Sequence, residues 1–158
     1  AASNIVVGWS VNTPRMIAEN EYYTASLEAR LDAARQCAKA GYSLAFHFDP
    51  MFYYDGWEEE YASVVDAIFQ AVPARSIRWI SLGTLRMTPL QKKVIENRFP
   101  ENRILSAELV TGVDGKLRYS GDVRQKMYGR MKEQILRRAD PSTMLYLCME
   151  TAHMWRQL

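Results

Sequence analysis

The sequence predicts an α/β fold built on parallel strands, and three observations lead there. Apolar strand-like runs alternate with amphipathic helical stretches as β-α-β-α-β-α through residue 100. The connections between them are short, which implies parallel strands joined by right-handed crossovers, as in a barrel or a doubly wound sheet. The 158 residues are 48% hydrophobic, enough for one domain with a full core. These units are far fewer than a closed barrel of the common kind needs. The sheet is therefore expected either to be small or to have part of itself outside this chain.

Asn4–Val11 (NIVVGWSV) is an apolar, β-branched run, read as a strand buried on both faces and broken by Asn12-Thr13-Pro14. Residues 14–23 are ambiguous between a short helix and a loop. A helix then runs from Thr24 to about Lys39, with Leu27, Leu31, Ala34, Cys37 and Ala38 on one face and Gly41 as its stop. Tyr42–Asp49 is the second strand, its Leu44, Phe46 and Phe48 facing one side and Ser43, Ala45, His47 and Asp49 the other. Asp55-Gly56-Trp57-Glu58 reads as a capping box opening a helix to about Val72. Its core stripe is Trp57, Tyr61, Val64, Val65, Ile68 and Phe69.

Ile77–Leu82 is the third strand and Gly83–Met87 a loop. Thr88-Pro89, with Gln91 completing a capping box, starts a helix expected to bury Leu90, Val94 and Ile95. The pattern then changes. Glu108–Gly112 and Lys116–Ser120 flank Val113-Asp114-Gly115, a hairpin signal. A basic helix from about Val123 to Ala139 follows, with Val123, Met127, Met131, Ile135 and Leu136 inward. Met144–Met149 reads as a buried strand and Glu150–Leu158 as a short helix. The organisation expected is residues 1–107 as three βα units of a partial barrel, with the hairpin, basic helix, terminal strand and helix of 108–158 packed on the same domain.

Net charge is +2 but uneven. Residues 1–72 hold 4 Lys+Arg against 10 Asp+Glu, and residues 73–158 hold 16 against 8. The basic second half suits an anionic partner such as DNA, and equally suits solvated helix faces. No apolar run is long enough to span a bilayer, so no membrane partner is expected and a cytoplasmic location is. The chain opens with Ala1, and a processed or truncated N-terminus is expected. Cys37 and Cys148 read as reduced core thiols.

Four residues at strand ends are candidates for holding a ligand, because ligands of parallel sheets bind beyond the C-terminal ends of the strands. They are Ser10 and Asn12 on the first strand and His47 and Asp49 on the second. Ser10 and Asn12 also suit ordinary turn chemistry. His47 and Asp49 could form a metal pair, but the other histidine, His153, is remote, and a hydrogen-bonded pair or a pocket wall is favoured over a metal. Nothing supplies a phosphate loop, a nucleophile elbow or a catalytic triad, so no catalytic residue is assigned. The candidates for DNA are Lys116, Arg118 and Tyr119 of the hairpin and Arg124 of the basic helix, cations for phosphates and a ring for stacking.

Several motifs together resemble the C-terminal half of spore photoproduct lyase and related radical SAM proteins. They are Ser10-Val11-Asn12, Ala40-Gly41-Tyr42, Asp49-Pro50 and Gly56-Trp57-Glu58-Glu59, with Leu147-Cys148-Met149-Glu150 and Trp155-Arg156 at the end. The resemblance implies half of a partial (β/α)₆ barrel that binds S-adenosylmethionine and a [4Fe–4S] cluster. In that family the cluster reduces the cofactor to a 5′-deoxyadenosyl radical, which abstracts a hydrogen from a thymine dimer that then reverts to two thymines. It also implies that Ser10 contacts the cofactor, that Asp49 lies at its edge, and that Arg118 and Tyr119 fall near a lesion-binding hairpin. The family's Cys-x-x-x-Cys-x-x-Cys motif is absent here. The expectation is thus the C-terminal part of a DNA-repair lyase, inactive alone and binding no cofactor by itself. The alternatives are a nucleic-acid-binding module without catalysis, a radical SAM enzyme with another substrate, and a small metallohydrolase using His47 and Asp49. An unpaired sheet edge would favour self-association.

Overall fold

A computed structural model describes residues 4–157. The chain runs β1 (Val6–Ser10), α1 (Pro14–Asn20), α2 (Leu27–Lys39), β2 (Ser43–Met51), α3 (Trp57–Ala71), β3 (Ile77–Thr84) and β4 (Arg86–Met87). It continues through α4 (Pro89–Arg98), β5 (Val110–Thr111), β6 (Leu117–Arg118), α5 (Gly121–Leu136), β7 (Met144–Leu147) and α6 (Ala152–Arg156). Four strands form one parallel sheet in the order β1-β2-β3-β7, and β4-β6-β5 form a separate antiparallel sheet. The parallel strands thus number four, because the Met144–Leu147 run joins the sheet beside β3. The parallel sheet is open, with β1 and β7 at its edges.

The register sorts the side chains into rows. Trp9, Phe46, Ile80 and Leu145 are partners across the four strands, and Phe48, Leu82 and Leu147 form the next row on the same face. That face meets the helices: α2 packs on β1 and β2, α5 on β3, and α3 lies between α2 and α5. Leu31 and Ala34 of α2, Tyr61, Val64 and Ile68 of α3, and Met127, Met131 and Ile135 of α5 are buried there. Burying each such aliphatic side chain contributes roughly 1.5–3 kcal/mol, which is what fixes the sheet against its helices.

Several local expectations are corrected. The first strand is half-exposed rather than buried on both faces, since it is a sheet edge. The start of α3 is not a capping box on Asp55: Gly56 is the N-cap, at φ 85, with no side-chain cap bond. Glycine alone takes that left-handed turn cheaply, and the Trp57 N–H is satisfied by the Tyr54 carbonyl at 3.2 Å. The Thr88–Gln91 capping box is present in both directions. The stripe behind it is not buried, however, for Leu90 and Val94 are exposed and Ile95 only half-buried. The crossover from β3 to β7 covers the sheet with α5, which leaves α4 outside the helix layer. In α5 Leu136 is exposed, and Tyr128 takes a core position that periodicity did not assign to it. The edge strand β7 is only partly buried.

Candidate functional site

The face of the sheet opposite the helix layer is where polar groups gather. Strand alternation and register put Ser10, His47, Ser81 and Tyr146 in one row that crosses all four strands. The row behind it is Gly8, Ala45, Trp79 and Met144. His47 and Ser81 are joined by a hydrogen bond of 2.7 Å between Nδ1 and Oγ. The other ring nitrogen lies over Gly8, where a Cβ would come within 3.1 Å of it. Glycine on β1 therefore makes room for the imidazole. Trp79 Nε1, in the adjacent row, is a buried donor with no acceptor among the described residues.

At the C-terminal rim of this face Asp49 accepts two hydrogen bonds of 3.0 Å from Arg86, one to each carboxylate oxygen. The same guanidinium donates to the Thr84 carbonyl at 3.3 Å and contacts Cys148 Sγ at 3.7 Å. Arg86 thus ties the ends of β2, β3 and β7 together. The planar fork is what permits this, since its nitrogens donate in fixed directions. Asp49 lies flat on Gly83: a Cβ there would sit 2.5 Å from Oδ1. Burial and then the neighbouring Asp49 push the Cys148 thiol above its ordinary value, which outweighs the opposing Arg86 charge, so it stays protonated. The charges of Asp49 and Arg86 neutralise one another, and the face is presented as hydrogen-bonding rather than charged.

Of the four ligand candidates, Ser10 and His47 share the row and Asp49 sits at the rim. Asn12 departs from the expectation of a direct contact. It is buried, donates to the Pro50 carbonyl at 3.2 Å and accepts from the Thr13 N–H and the Tyr61 hydroxyl at 3.0 and 2.8 Å. It braces the turn behind the site instead. Sequence reasoning missed Ser81, Tyr146 and Arg86. The alternation of Trp79 and Ser81 with Ile80 and Leu82 was readable, but the strand pairing that aligns Ser81 with His47 was not.

The hairpin is corrected more strongly. Arg118 is buried and donates to Asp114 Oδ1 at 2.5 Å, while its Nε has no acceptor among the described residues. Tyr119 is also buried, accepting from the Tyr53 N–H at 3.1 Å and packing edge-on against the Tyr53 ring. Burial pushes its hydroxyl up to about 12. Arg124 is paired with Glu150, whose side chain is 4% exposed, and donates from Nε to the Tyr119 carbonyl at 3.1 Å. Of these four, Lys116 alone is neither buried nor paired among the described residues, and it is half-covered beside the turn. Arg118 and Arg124, assigned to phosphate, hold the fold together instead.

The fold and the site define an α/β protein whose parallel sheet carries a polar face and a self-neutralised Asp49–Arg86 rim. The chain belongs to the spore photoproduct lyase family, whose description, "Spore photoproduct lyase", matches residues 3–147. It is 38% identical over 103 residues to the spore photoproduct lyase of Geobacillus sp. (strain Y412MC61), an alignment covering 61% of this chain and 29% of that protein. It is 33% identical over 98 residues to that of Bacillus subtilis (strain 168), with the same shares. The chain therefore spans about 29% of the length of these relatives. A solved spore photoproduct lyase mutant with dinucleoside spore photoproduct superposes with a TM-score of 0.78 at 26% identity, over 90% of this chain and 45% of its own. Another, with bound AdoMet and dinucleoside spore photoproduct, gives 0.74 at 25% identity, over 89% and 43%.

Proposed function

We propose that this chain serves as the C-terminal part of a spore photoproduct lyase-type radical SAM enzyme, which reverses a thymine dimer in DNA. Its open parallel sheet acts in this reading as half of a partial (β/α)₆ barrel, with the polar face turned inward. The observation that carries the reading is the superposition of 89% of the chain on a spore photoproduct lyase holding AdoMet and dinucleoside spore photoproduct.

The row supplies groups suited to S-adenosylmethionine. Ser10, His47 and Tyr146 offer hydroxyl and imidazole groups, and the unpartnered Trp79 donor lies one row away. When bound, the cofactor supplies the hydrogen-abstracting chemistry. The chain's own part is to bind and orient: Arg86 fixes the rim, the helix layer keeps the sheet rigid, and the Cys148 thiol stays protonated. The residues do not fit the iron–sulfur cluster. Cys37 lies on α2 and Cys148 at the rim, and among the described residues no group of three His, Cys, Asp or Glu could hold a metal. The cluster is accordingly proposed to reside on a part of the enzyme outside this chain, and the chain alone to be inactive. The edge strands β1 and β7 are proposed to favour association, which light scattering across concentrations measures.

Anaerobic reconstitution with iron and sulfide tests the assignment. The expected outcome is no stoichiometric cluster on this chain, and thymine-dimer reversal only when a chain bearing Cys-x-x-x-Cys-x-x-Cys is supplied. A stoichiometric [4Fe–4S] spectrum from this chain alone would overturn it.

A further inference from the structure

A second surface on the C-terminal side of the sheet is unused by the site above. Residues of α1 and of the segment following α4 line a cavity together with Phe52, Tyr53 and Tyr54, which follow the C-terminal end of β2. Beside it the Tyr22 and Phe99 rings stack, with centroids 6.1 Å apart and planes at 25°. The Arg98 guanidinium lies 5.6 Å from the centre of the Phe99 ring. Asn102 donates to Asn20 at 2.7 Å and locks the two segments together. Between them is a groove of about 660 Å³, lined by Arg15, Tyr22, Phe99 and Arg103 among others. The adjoining cavity of about 320 Å³ shares Arg15 and Arg103 with it and reaches Tyr53 and Tyr54 in the loop after β2. That cavity brings the groove to the loop following the C-terminal end of β2.

This surface gathers aromatic rings where burial would ordinarily place them inside. Tyr22 is 58% exposed and Tyr23 fully so. Tyr23 also sits at φ 62, a left-handed conformation that a bulky side chain enters at a cost. Such strain persists where surrounding structure imposes it, and here it turns a ring toward solvent. The charges discriminate among occupants. Arg15 is tied to Glu19 and Glu60, whereas Arg98 and Arg103 have no carboxylate partner among the described residues. Glu19 and Glu101 border the groove and would repel phosphates, so an anionic backbone is confined to the Arg98–Arg103 side. Exposed rings beside unpaired guanidinium groups form a platform on which bases stack while phosphates are held.

We infer that the Tyr22–Phe99 groove binds an unpaired stretch of the nucleic-acid strand flanking the lesion, with a base on Tyr22 and phosphates beside Arg98 and Arg103. The inference rests on the reading that the substrate is DNA. The hairpin, whose Arg118 is internal, leaves that flank to this groove.

The test is fluorescence anisotropy of the whole chain with a labelled oligothymidylate of about 12 nucleotides, a length within the usual span of such sites. Tyr22→Ala should weaken binding about tenfold, the scale of one lost base stack. Arg103→Gln should flatten the dependence of log affinity on log salt by about 0.7. Binding of dinucleoside spore photoproduct, which carries no strand beyond the lesion to fill the groove, should be unchanged in both variants, and circular dichroism checks that they fold. Failure of the wild-type chain to bind the oligothymidylate overturns the inference, as does equal affinity of Tyr22→Ala and wild type. Retained dinucleoside binding with either result removes the groove and spares the reading that the substrate is DNA. No dinucleoside binding by the wild type, with oligothymidylate binding intact and sensitive to Tyr22, spares the groove and removes a part for this chain in holding the lesion.

Discussion

Gly83→Ala isolates the rim clasp with the smallest chemical change. The added methyl would stand 2.5, 2.6 and 2.9 Å from Oδ1, Cγ and Oδ2 of Asp49, so the carboxylate must leave its place. A free side chain would rotate away at little cost. This one is held by two charge-assisted hydrogen bonds from Arg86, and leaving breaks both. Such bonds contribute roughly 1.5–3 kcal/mol each when dry. The two side chains are 21% and 19% exposed, so water recovers part of that loss, and a net cost of about 2 kcal/mol is expected. For a chain of this size that is a fall in Tm of about 4–8 °C. The assay is a double-mutant cycle by thermal and urea unfolding. In an Asp49→Ala background the clash is gone, and Gly83→Ala should be neutral or stabilising by up to ~1 kcal/mol through reduced freedom of the unfolded chain. The coupling should therefore be about 2 kcal/mol. An equal loss in both backgrounds, or none in either, would show that Asp49 does not rest on Gly83 as described.

Three further outcomes follow from the buried polar network and the rim thiol. Tyr128→Phe removes a hydroxyl that accepts the Thr84 N–H at 3.0 Å and donates to Glu150 at 2.9 Å, and should cost about 1–3 kcal/mol in urea with an unchanged m-value. Arg118→Ala should lower Tm and leave the salt dependence of oligonucleotide binding as it was; a reduced salt slope with unchanged Tm would return Arg118 to the phosphate-binding set. Alkylation of Cys148 in a Cys37→Ser chain should rise with pH along a curve displaced upward from a free thiol, because burial and Asp49 favour the protonated form. Asp49→Asn removes one of those causes and leaves Arg86 uncompensated, so the curve should move to lower pH; a shift in the other direction would refute the contact.

What the sequence determined by itself was local. The alternation of apolar runs with amphipathic stretches placed β1, β2 and β3 and the helices between them. The Thr88–Gln91 box and the Asp114-Gly115 turn were readable because their bonding partners lie within a few residues. The candidates Ser10, His47 and Asp49 followed from a general rule about where parallel strands meet ligands. Tertiary structure decided the rest. His47 meets Ser81 only because β2 and β3 pair in one register, a relation across 34 residues that no local pattern encodes. Arg86 looked like a loop residue, and became the clasp because three strand ends converge on it. Arg118, Tyr119 and Arg124 carry the composition of an exposed basic surface, yet they are internal. Tyr119 is met by Tyr53 from 66 residues away, and Arg124 by Glu150 from 26. Residue type sets what a side chain can bond, while its exposure is set by whatever the fold brings against it. That is why the polar sheet face was half legible in advance and the aromatic groove of Tyr22 and Phe99 was not.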